Sequence, residues 1–533
     1  MTYLIKCLLV HPRFTAASFW NFKKACELVG ASYPASPLGL LTVAAICPDS
    51  WEYRLIDCNV TELKDEDIEW SDIVLSGGML PQQEEHLKLI SRIKRFSKPH
   101  VLGGPAVTST PQRYDQGDYL ILGEAEVILP EFLKDFKEGK ARHVYDGRGE
   151  KADMTRSPMP RYELINFKNY TNIGLQTARG CPFNCEFCDI IELFGRIPRL
   201  KSQEQIFDEL QRLYDLGYRG FLDLVDDNFI GNKRAVKAFL PRLKEWQETH
   251  AWPFEFYVQA TITLADDPIL MKLMQDSGFF GVFVGIETPN EELLIATRKR
   301  QNTRRSIPDS IHRIYRHGML VTAGYIVGFD GERPGIADDI IKCVEKTCIP
   351  VNMIGLLYAL PGTQFTKRLG KEGRLGSFRE SLDITGDQCV SGLNFNTIRP
   401  KQEILADYEN VISNVYDPAH FFKRISRVAL LLNCSNKKLK IPINYLMRDL
   451  KGVVRLFIAL GIRSPHRRYF WRSVAVCLFR NPRSFRYISG MMALYLHFDG
   501  FKDYLVSNIK TSLKKEVDLQ MPPIDMLPDS FIA

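Results

Sequence analysis

No stretch of this sequence stays apolar for the roughly 18 residues that a membrane span requires. The longest apolar runs of the C-terminal third, Val428 to Leu432 and Ile488 to Leu496, fall well short, and no transmembrane helix is expected. Export signals are missing too. The opening MTYLIKCLLVHPRF has one lysine and a short apolar run closed by His11-Pro12, without a small-residue cleavage site, and reads as a first β-strand. Cysteine, at 12 of 533 residues, is too sparse for a disulfide scaffold. A reducing, cytoplasmic setting is therefore expected, in which thiolates are available to metal. Nine of the twelve (Cys7, Cys26, Cys47, Cys58, Cys343, Cys348, Cys389, Cys434 and Cys477) stand among apolar neighbours and read as small core side chains. There is no low-complexity tract and no repeat beyond a βα alternation. With 45% apolar and 25% charged residues the chain is not disordered, and its length predicts two or three domains.

The fold class predicted is α/β. Residues 1–145 alternate short apolar runs with helical patterns, as a parallel sheet wound with helices does. Strands are expected at Ile5 to Val10, Tyr53 to Asp57, Ile73 to Leu75, His100 to Leu102 and Tyr119 to Leu122. Three of them run into glycine turns, Ser76-Gly77-Gly78, Gly103-Gly104-Pro105 and Gly123-Glu124, at the carboxyl edge where open sheets take ligands. A linker over 146–168 is rich in charge and proline. The region 169–400 resumes the alternation with six βα units, whose strands are expected at Ile173 to Ala178, Gly220 to Val225, Phe254 to Ala260, Gly281 to Ile286, Leu320 to Val327 and Met353 to Leu360. Six units predict a partial barrel, with its chemistry on the loops after the strands. The spacing of Ser202 and Gln205 predicts a capping box.

Residues 401–533 are mainly helical and basic, with 21 Lys and Arg against 11 Asp and Glu, a net of +10 in a chain of +7 overall. Aromatics interleave with the cations in HRRYFWRSVAVCLFRNPRSFRY, residues 466–487. Such a segment either solvates as a basic helical face or lies against an anionic membrane surface, an acidic substrate or nucleic acid.

The chemistry-bearing motif follows the first strand of the second region: Gly180-Cys181-Pro182-Phe183-Asn184-Cys185-Glu186-Phe187-Cys188, or C-x3-C-x2-C. Three thiolates on one loop can each hold one iron of a four-iron, four-sulfur cube and leave the fourth iron open to an outside ligand. A structural zinc site would close with a fourth Cys or His, and none lies between Cys188 and His250.

These residues resemble the signature of the radical S-adenosylmethionine superfamily, in which an aromatic residue, here Phe187, precedes the last cysteine. The resemblance implies that Cys181, Cys185 and Cys188 ligate a [4Fe-4S] cluster whose open iron chelates the amino and carboxylate groups of S-adenosylmethionine. One electron then releases a 5′-deoxyadenosyl radical, which abstracts a substrate hydrogen. Phe187, Asp226, Asp227, Asn228, Gly285 and Glu287 are the implied S-adenosylmethionine contacts. Asp226 to Asn228 look like the amino-group motif, and Gly281 to Glu287 is similar to G-x-I-x-G-x-x-E, with its glutamate one residue early. Tyr358 to Thr363 resembles a turn of cobalamin-associated members.

The order of regions, with Pro37-Leu38-Gly39-Leu40 and Gly123-Glu124-Ala125-Glu126, resembles the cobalamin-binding class of that superfamily. It implies an N-terminal flavodoxin-like (Rossmann-type) cobalamin domain, a partial (β/α)6 radical barrel and a helical C-terminal domain like that of hopanoid-methylating enzymes. Ser76, Gly77, Gly103, Gly104, Pro105, Gly123 and Glu124 are the implied corrinoid contacts. The D-x-H-x-x-G motif that supplies histidine to cobalt elsewhere is absent, and His11 reads as a strand-end residue. The implied function is cobalamin-dependent methylation of an unactivated carbon in a lipid or tetrapyrrole-like small molecule. The rivals are a cyclase or carbon-carbon coupling enzyme with the same cofactors, and a non-catalytic cluster and corrinoid sensor. An electron donor such as flavodoxin or ferredoxin and peripheral membrane contact through the basic C-terminal region are expected; nucleic acid is not.

Overall fold

The computed structural model of the protein describes residues 4–15, 18–375, 387, 389, 391–434 and 443–520. Its strands, in chain order, are β1 (Lys6–His11), β2 (Tyr33–Ala35), β3 (Glu52–Asp57), β4 (Ile73–Gly77), β5 (His100–Gly103), β6 (Tyr119–Leu122), β7 (Val144–Asp146), β8 (Tyr170–Leu175), β9 (Ala178–Arg179), β10 (Arg199–Leu200), β11 (Gly220–Leu224), β12 (Phe254–Gln259), β13 (Phe279–Glu287), β14 (Leu320–Val327) and β15 (Asn352–Leu356).

The first sheet runs β3-β1-β4-β5-β6-β7, with every pair parallel. Along β1, Cys7 and Leu9 enter one core and Leu8 and Val10 the other, all fully buried. Helices Leu38–Ile46 and Ala125–Lys137 cover the first side and Gln83–Lys94 the second. That two-sided burial explains a continuous apolar run in place of alternation. β1 lies between two strands that both follow it in sequence, so the crevice at its carboxyl end is a topological switch point.

The second sheet, β15-β14-β13-β12-β11-β8-β2, is also parallel throughout. Its six strands from β8 to β15 keep sequence order and alternate with helices, which is the expected partial barrel. The predicted capping box is present: Ser202 Oγ accepts from Gln205 N–H at 3.1 Å, and Gln205 Oε1 from Ser202 N–H at 2.8 Å.

Three short strands were not expected, one of them β10, which pairs antiparallel with β9 beside the cysteine loop. β7 forms the edge of the first sheet beyond β6. β2 belongs by sequence to the first region but pairs with β8 in the second sheet, Tyr33 opposite Tyr170. Phe19 follows it there, meeting Phe498 and Phe501 at ring-centroid distances of 5.7 and 6.4 Å. Three-residue strands carry no readable period, and partners almost 480 residues away leave no local trace.

The helical region continues the barrel's core. Tyr408 and Tyr416 donate to the carbonyls of Ile354 (3.0 Å) and Asn352 (2.7 Å) on β15, and the fully buried Arg424 reaches Glu345 at 2.7 Å. Among the described residues, no helix is long and apolar enough to cross a membrane.

Candidate functional site

β8 ends at Leu175, and the chain then turns into the loop carrying the three cysteines. Asp226, just beyond β11, fixes that turn. Its Oδ1 accepts from the N–H groups of Thr177 (2.7 Å) and Ala178 (2.9 Å), and its Oδ2 from the Thr177 hydroxyl. Asp227 accepts from Gly180 N–H at 2.6 Å. Burial pushes both carboxyls up to about 6, against the pull of those same N–H bonds. Gly180 has φ +98°, and a Cβ there would lie 2.9 Å from the Ile197 carbonyl oxygen, so a side chain has no room just before Cys181. Both carboxylates thus bind backbone and position the loop. Asn228 is the one of the three turned to a thiol, with Nδ2 4.0 Å from Cys181 Sγ.

The loop is fastened on its far side as well. Glu186 N–H donates to the Thr297 carbonyl at 3.1 Å, its carboxylate pairs with Arg368 at 2.9 Å, and Gln364 Nε2 donates to Asn184 Oδ1 at 2.7 Å. Cys185 is buried; Cys181 and Cys188 are half-buried. Burial holds the Cys181 and Cys188 thiols above their ordinary range, and neighbouring negative groups add to this, so a thiolate there calls for a cation. Among the described residues no three His, Cys, Asp or Glu side chains converge on a single metal ion. Three thiols spread along one loop suit a cube in which each meets its own iron.

β13 completes this edge. Glu287 has φ +66° at a register shift between β13 and β14, and its Oε1 accepts from Lys299 Nζ at 2.6 Å. Burial alone would lower the Lys299 ammonium, but Glu287 and the charges of Cys185 and Cys188 hold it high. A Cβ on Gly285 would stand 2.4 Å from Glu287 Oε1 and 3.0 Å from Lys299 Nζ, so the pair occupies the space that glycine leaves. Lys299 also lies 6.0 Å from the centroid of the Phe187 ring. Gln301 Nε2 is 3.4 Å from Cys185 Sγ, and Asn302 Nδ2 donates to the carbonyls of Gly285 and Ile286, while Gln301 Oε1 and Asn302 Oδ1 are buried without a hydrogen-bond partner. Two orphaned acceptors beside the thiols and β13 fit a polar ligand.

The first sheet's edge differs in kind. A cavity of about 1140 Å³ is floored by Gly77, Gly78, Gly103, Gly104, Pro105 and Gly123 and reaches the barrel mouth at Gln176, Arg179, Asp223 and Tyr257. The glycines are packed backbone to backbone: a Cβ on Gly104 (φ +90°) would be 3.2 Å from both Gly78 N and Gly78 O. A broad, flat group fits such an edge. Ser76 and Glu124 also line this cavity, and each has partners within the protein. The Ser76 hydroxyl is held between His86 Nε2 (2.8 Å) and His100 Nε2 (2.7 Å). Glu124 pairs with Arg179 (2.6 Å) and Arg199 (2.8 Å), tying this edge to the cysteine loop. His11 lines the cavity with Nε2 3.0 Å from Gln82 Nε2, and burial lowers its pKa.

Lys299, Gln301, Asn302, Arg179 and Asp223 were not singled out from sequence. Only Arg179 carried a local signal, since it stands two residues before Cys181; the others follow no phrase of fixed spacing.

Comparisons with known proteins agree with this geometry. The radical SAM superfamily matches residues 175–344, and a domain of unknown function (DUF4070) matches residues 363–511. An uncharacterized methyltransferase of Synechocystis is 38% identical over 97% of this chain and 95% of its own. The hopanoid C-2 methylase of Rhodopseudomonas palustris is 34% identical over 88% of each chain. Among solved structures, the radical S-adenosylmethionine methyltransferase TsrM from Kitasatospora setae, with cobalamin and a [4Fe-4S] cluster bound, superposes with a TM-score of 0.57 at 16% identity, covering 85% of this chain and 99% of that one. On the extent of these two sequence relatives, and with the cysteine loop at the head of the matched domain, the chain belongs to the radical S-adenosylmethionine superfamily, in the methyltransferase family that includes the hopanoid C-2 methylase.

Proposed function

We propose that the protein is a cobalamin-dependent radical C-methyltransferase acting on an unactivated carbon of a lipid. The observation that carries this reading is the continuous cavity between the glycine edge and the barrel mouth, whose exposed lining is mostly apolar. Cys181, Cys185 and Cys188 would hold a [4Fe-4S] cluster, and Asn228, Gly285, Gln301 and Asn302 the polar parts of S-adenosylmethionine beside it. Gly77, Gly103, Gly104, Pro105 and Gly123 would bed the corrinoid. When bound, these groups supply an electron to cleave S-adenosylmethionine and a methyl group for the substrate carbon.

The chain's own residues orient and exclude. Asp226 and Asp227 fix the cysteine loop, and the Glu124–Arg179 pair sets the distance between the two edges. The aromatic walls, Phe221, Tyr257, Phe280 and Phe283, keep water from the space between. No general base is assigned, because the hydrogen is removed as an atom. A lipid is favoured over a tetrapyrrole because a sterically open, largely apolar wall matches a hydrocarbon skeleton, and because the hopanoid enzyme is similar over nearly the whole chain. A flavodoxin or ferredoxin would donate the electron.

The test is anaerobic purification with added cobalamin, then comparison of lipid and pigment extracts from cells with and without the protein. A lipid one carbon heavier, together with 5′-deoxyadenosine from S-adenosylmethionine, is the expected result. An isomass cyclised product, or an intact cluster that makes no 5′-deoxyadenosine, would refute methyl transfer.

A further inference from the structure

Helix Ile443–Leu456 runs without a break into a π-helical turn, Phe457–Arg463. Along this length an apolar row faces outward: Ile443 (71% exposed), Leu446 (50%), Leu450 (54%), Val454 (52%), Ile458 (37%) and Ile462 (63%). Steps of three and four residues keep these side chains on one face. In an α-helix a step of four overshoots a full turn, so the row drifts sideways; the wider π-helical turn brings Ile462 back into line. The inward face is fixed to the protein. Leu456 and Leu460 are buried, and Gly452 lets the helix close on Leu28 and Val29, with Arg455 donating to the carbonyls of Glu27 and Leu28 at 3.1 Å each. The outer row is therefore not a half-folded core.

Its flank is cationic. Lys451, Arg455 and Arg463 are exposed along one side of the row, and Arg467, Arg468 and Arg472 open the next helix, where Trp471 packs on Phe457 at 5.3 Å with its ring partly exposed. From Ile443 to Gly490 there are ten Lys and Arg and a single acidic residue, Asp449, which is half-buried and paired with Arg448 at 3.1 Å. An apolar row bordered by cations and an interfacial tryptophan matches the boundary layer of an anionic bilayer. The same helix forms one wall of the cavity, and Leu446 and Leu450 belong to both surfaces.

We propose that the row from Ile443 to Ile462 docks in the plane of an anionic phospholipid bilayer and thereby sets the cavity's rim at Leu446 and Leu450 against the membrane, so that an apolar substrate passes from bilayer to active site without crossing water. This rests on the lipid reading of the substrate, but its test does not use turnover of that lipid.

The experiment is cosedimentation of the full-length, cluster-loaded protein with vesicles of phosphatidylglycerol and phosphatidylcholine, against phosphatidylcholine alone. Binding to the anionic vesicles, weakened by salt, is expected. The double variant Val454→Glu with Ile462→Glu should abolish it, and Lys451→Gln should weaken it by about fivefold, as one lost cation predicts. Formation of 5′-deoxyadenosine in vesicle-free buffer should be unchanged in all of them, which shows that the variants fold. The proposal is overturned if the wild type ignores anionic vesicles, if the double variant still binds, or if size-exclusion chromatography shows the row buried in a dimer that the double variant splits. Loss of 5′-deoxyadenosine in the wild type would instead count against the proposed chemistry and leave the vesicle result to stand on its own.

Discussion

Two carboxyl edges of two parallel sheets face each other in this molecule, and they are built by opposite means. The barrel edge is made of side chains: Asp226 and Asp227 hold backbone, Glu287 holds Lys299, and Gln301 reaches Cys185. The first sheet's edge is made by leaving side chains out. Gly77, Gly103, Gly104 and Gly123 present backbone, and the polar groups among them are held by partners within the protein, Ser76 by two histidines and Glu124 by two arginines. The difference follows from what each edge would hold. Thiolate ligation and a charged amino acid moiety need donors at fixed points. A large, flat ring system is held by shape, and a single Cβ can spoil the fit.

The largest effect that separates the edges is expected at the cysteines. Alanine at Cys181, Cys185 or Cys188 should remove the cluster's EPR signal and all 5′-deoxyadenosine formation, while cobalamin still co-elutes with the protein. Joint loss of cluster and corrinoid would mean that the two edges fold as one unit and are not separate devices.

Next in size is the buried pair on β13. Lys299→Met leaves Glu287 buried without its cation, which costs on the order of 3–5 kcal/mol where both partners are shielded from water; both side chains here are only about a tenth exposed. A lowered thermal midpoint and a weakened affinity for S-adenosylmethionine should result. The combined Lys299→Met and Glu287→Gln variant should recover much of the stability but not the affinity. If the double variant recovers both, the pair is structural only.

These two predictions also mark where sequence was enough. The cysteine spacing is local, so the cluster loop could be read from nine residues, and the runs from β8 to β15 are long enough to show their order. The glycine turns after β4, β5 and β6 could be placed on one edge because strand and turn are adjacent. Asp226 shows what such reasoning leaves out: residue type and position match an amino-group acceptor, and only the fold adds that the N–H groups of Thr177 and Ala178 bond its Oδ1. The partners of Ser76 and Glu124 left no local trace for the same reason, since they lie 10 to 75 residues away. β2 was invisible because three residues have no period.

A smaller effect is expected at the glycine edge. Gly104→Ala forces a Cβ to within 3.2 Å of Gly78 at φ +90° and should cost roughly 1–2 kcal/mol. Its signature would be loss of bound cobalamin on gel filtration with iron and sulfide content unchanged. A variant that keeps cobalamin with full occupancy would show that the edge is merely a tight turn.

The smallest effect falls between the edges, at Asp223 on the cavity wall. Burial, and after it the neighbouring charge of Asp226, push this carboxyl up to about 7 from an ordinary value near 3.8. The sign follows. Below about pH 4 the group is protonated folded or unfolded and has no effect. Between there and pH 7 the unfolded chain ionises while the folded chain resists, so stability falls as pH rises, and the penalty is complete above pH 7. Asp223→Asn lacks that penalty. The variant should match the wild type near pH 4 and exceed it increasingly up to pH 7, by roughly 4 kcal/mol, or about 4 °C in thermal midpoint. If instead the difference is flat across that range, the carboxyl is not shielded as the geometry requires. Should the stabilised variant also lose turnover at pH 7, the neutral carboxyl, which can donate a hydrogen bond, has a role toward substrate that neither edge supplies.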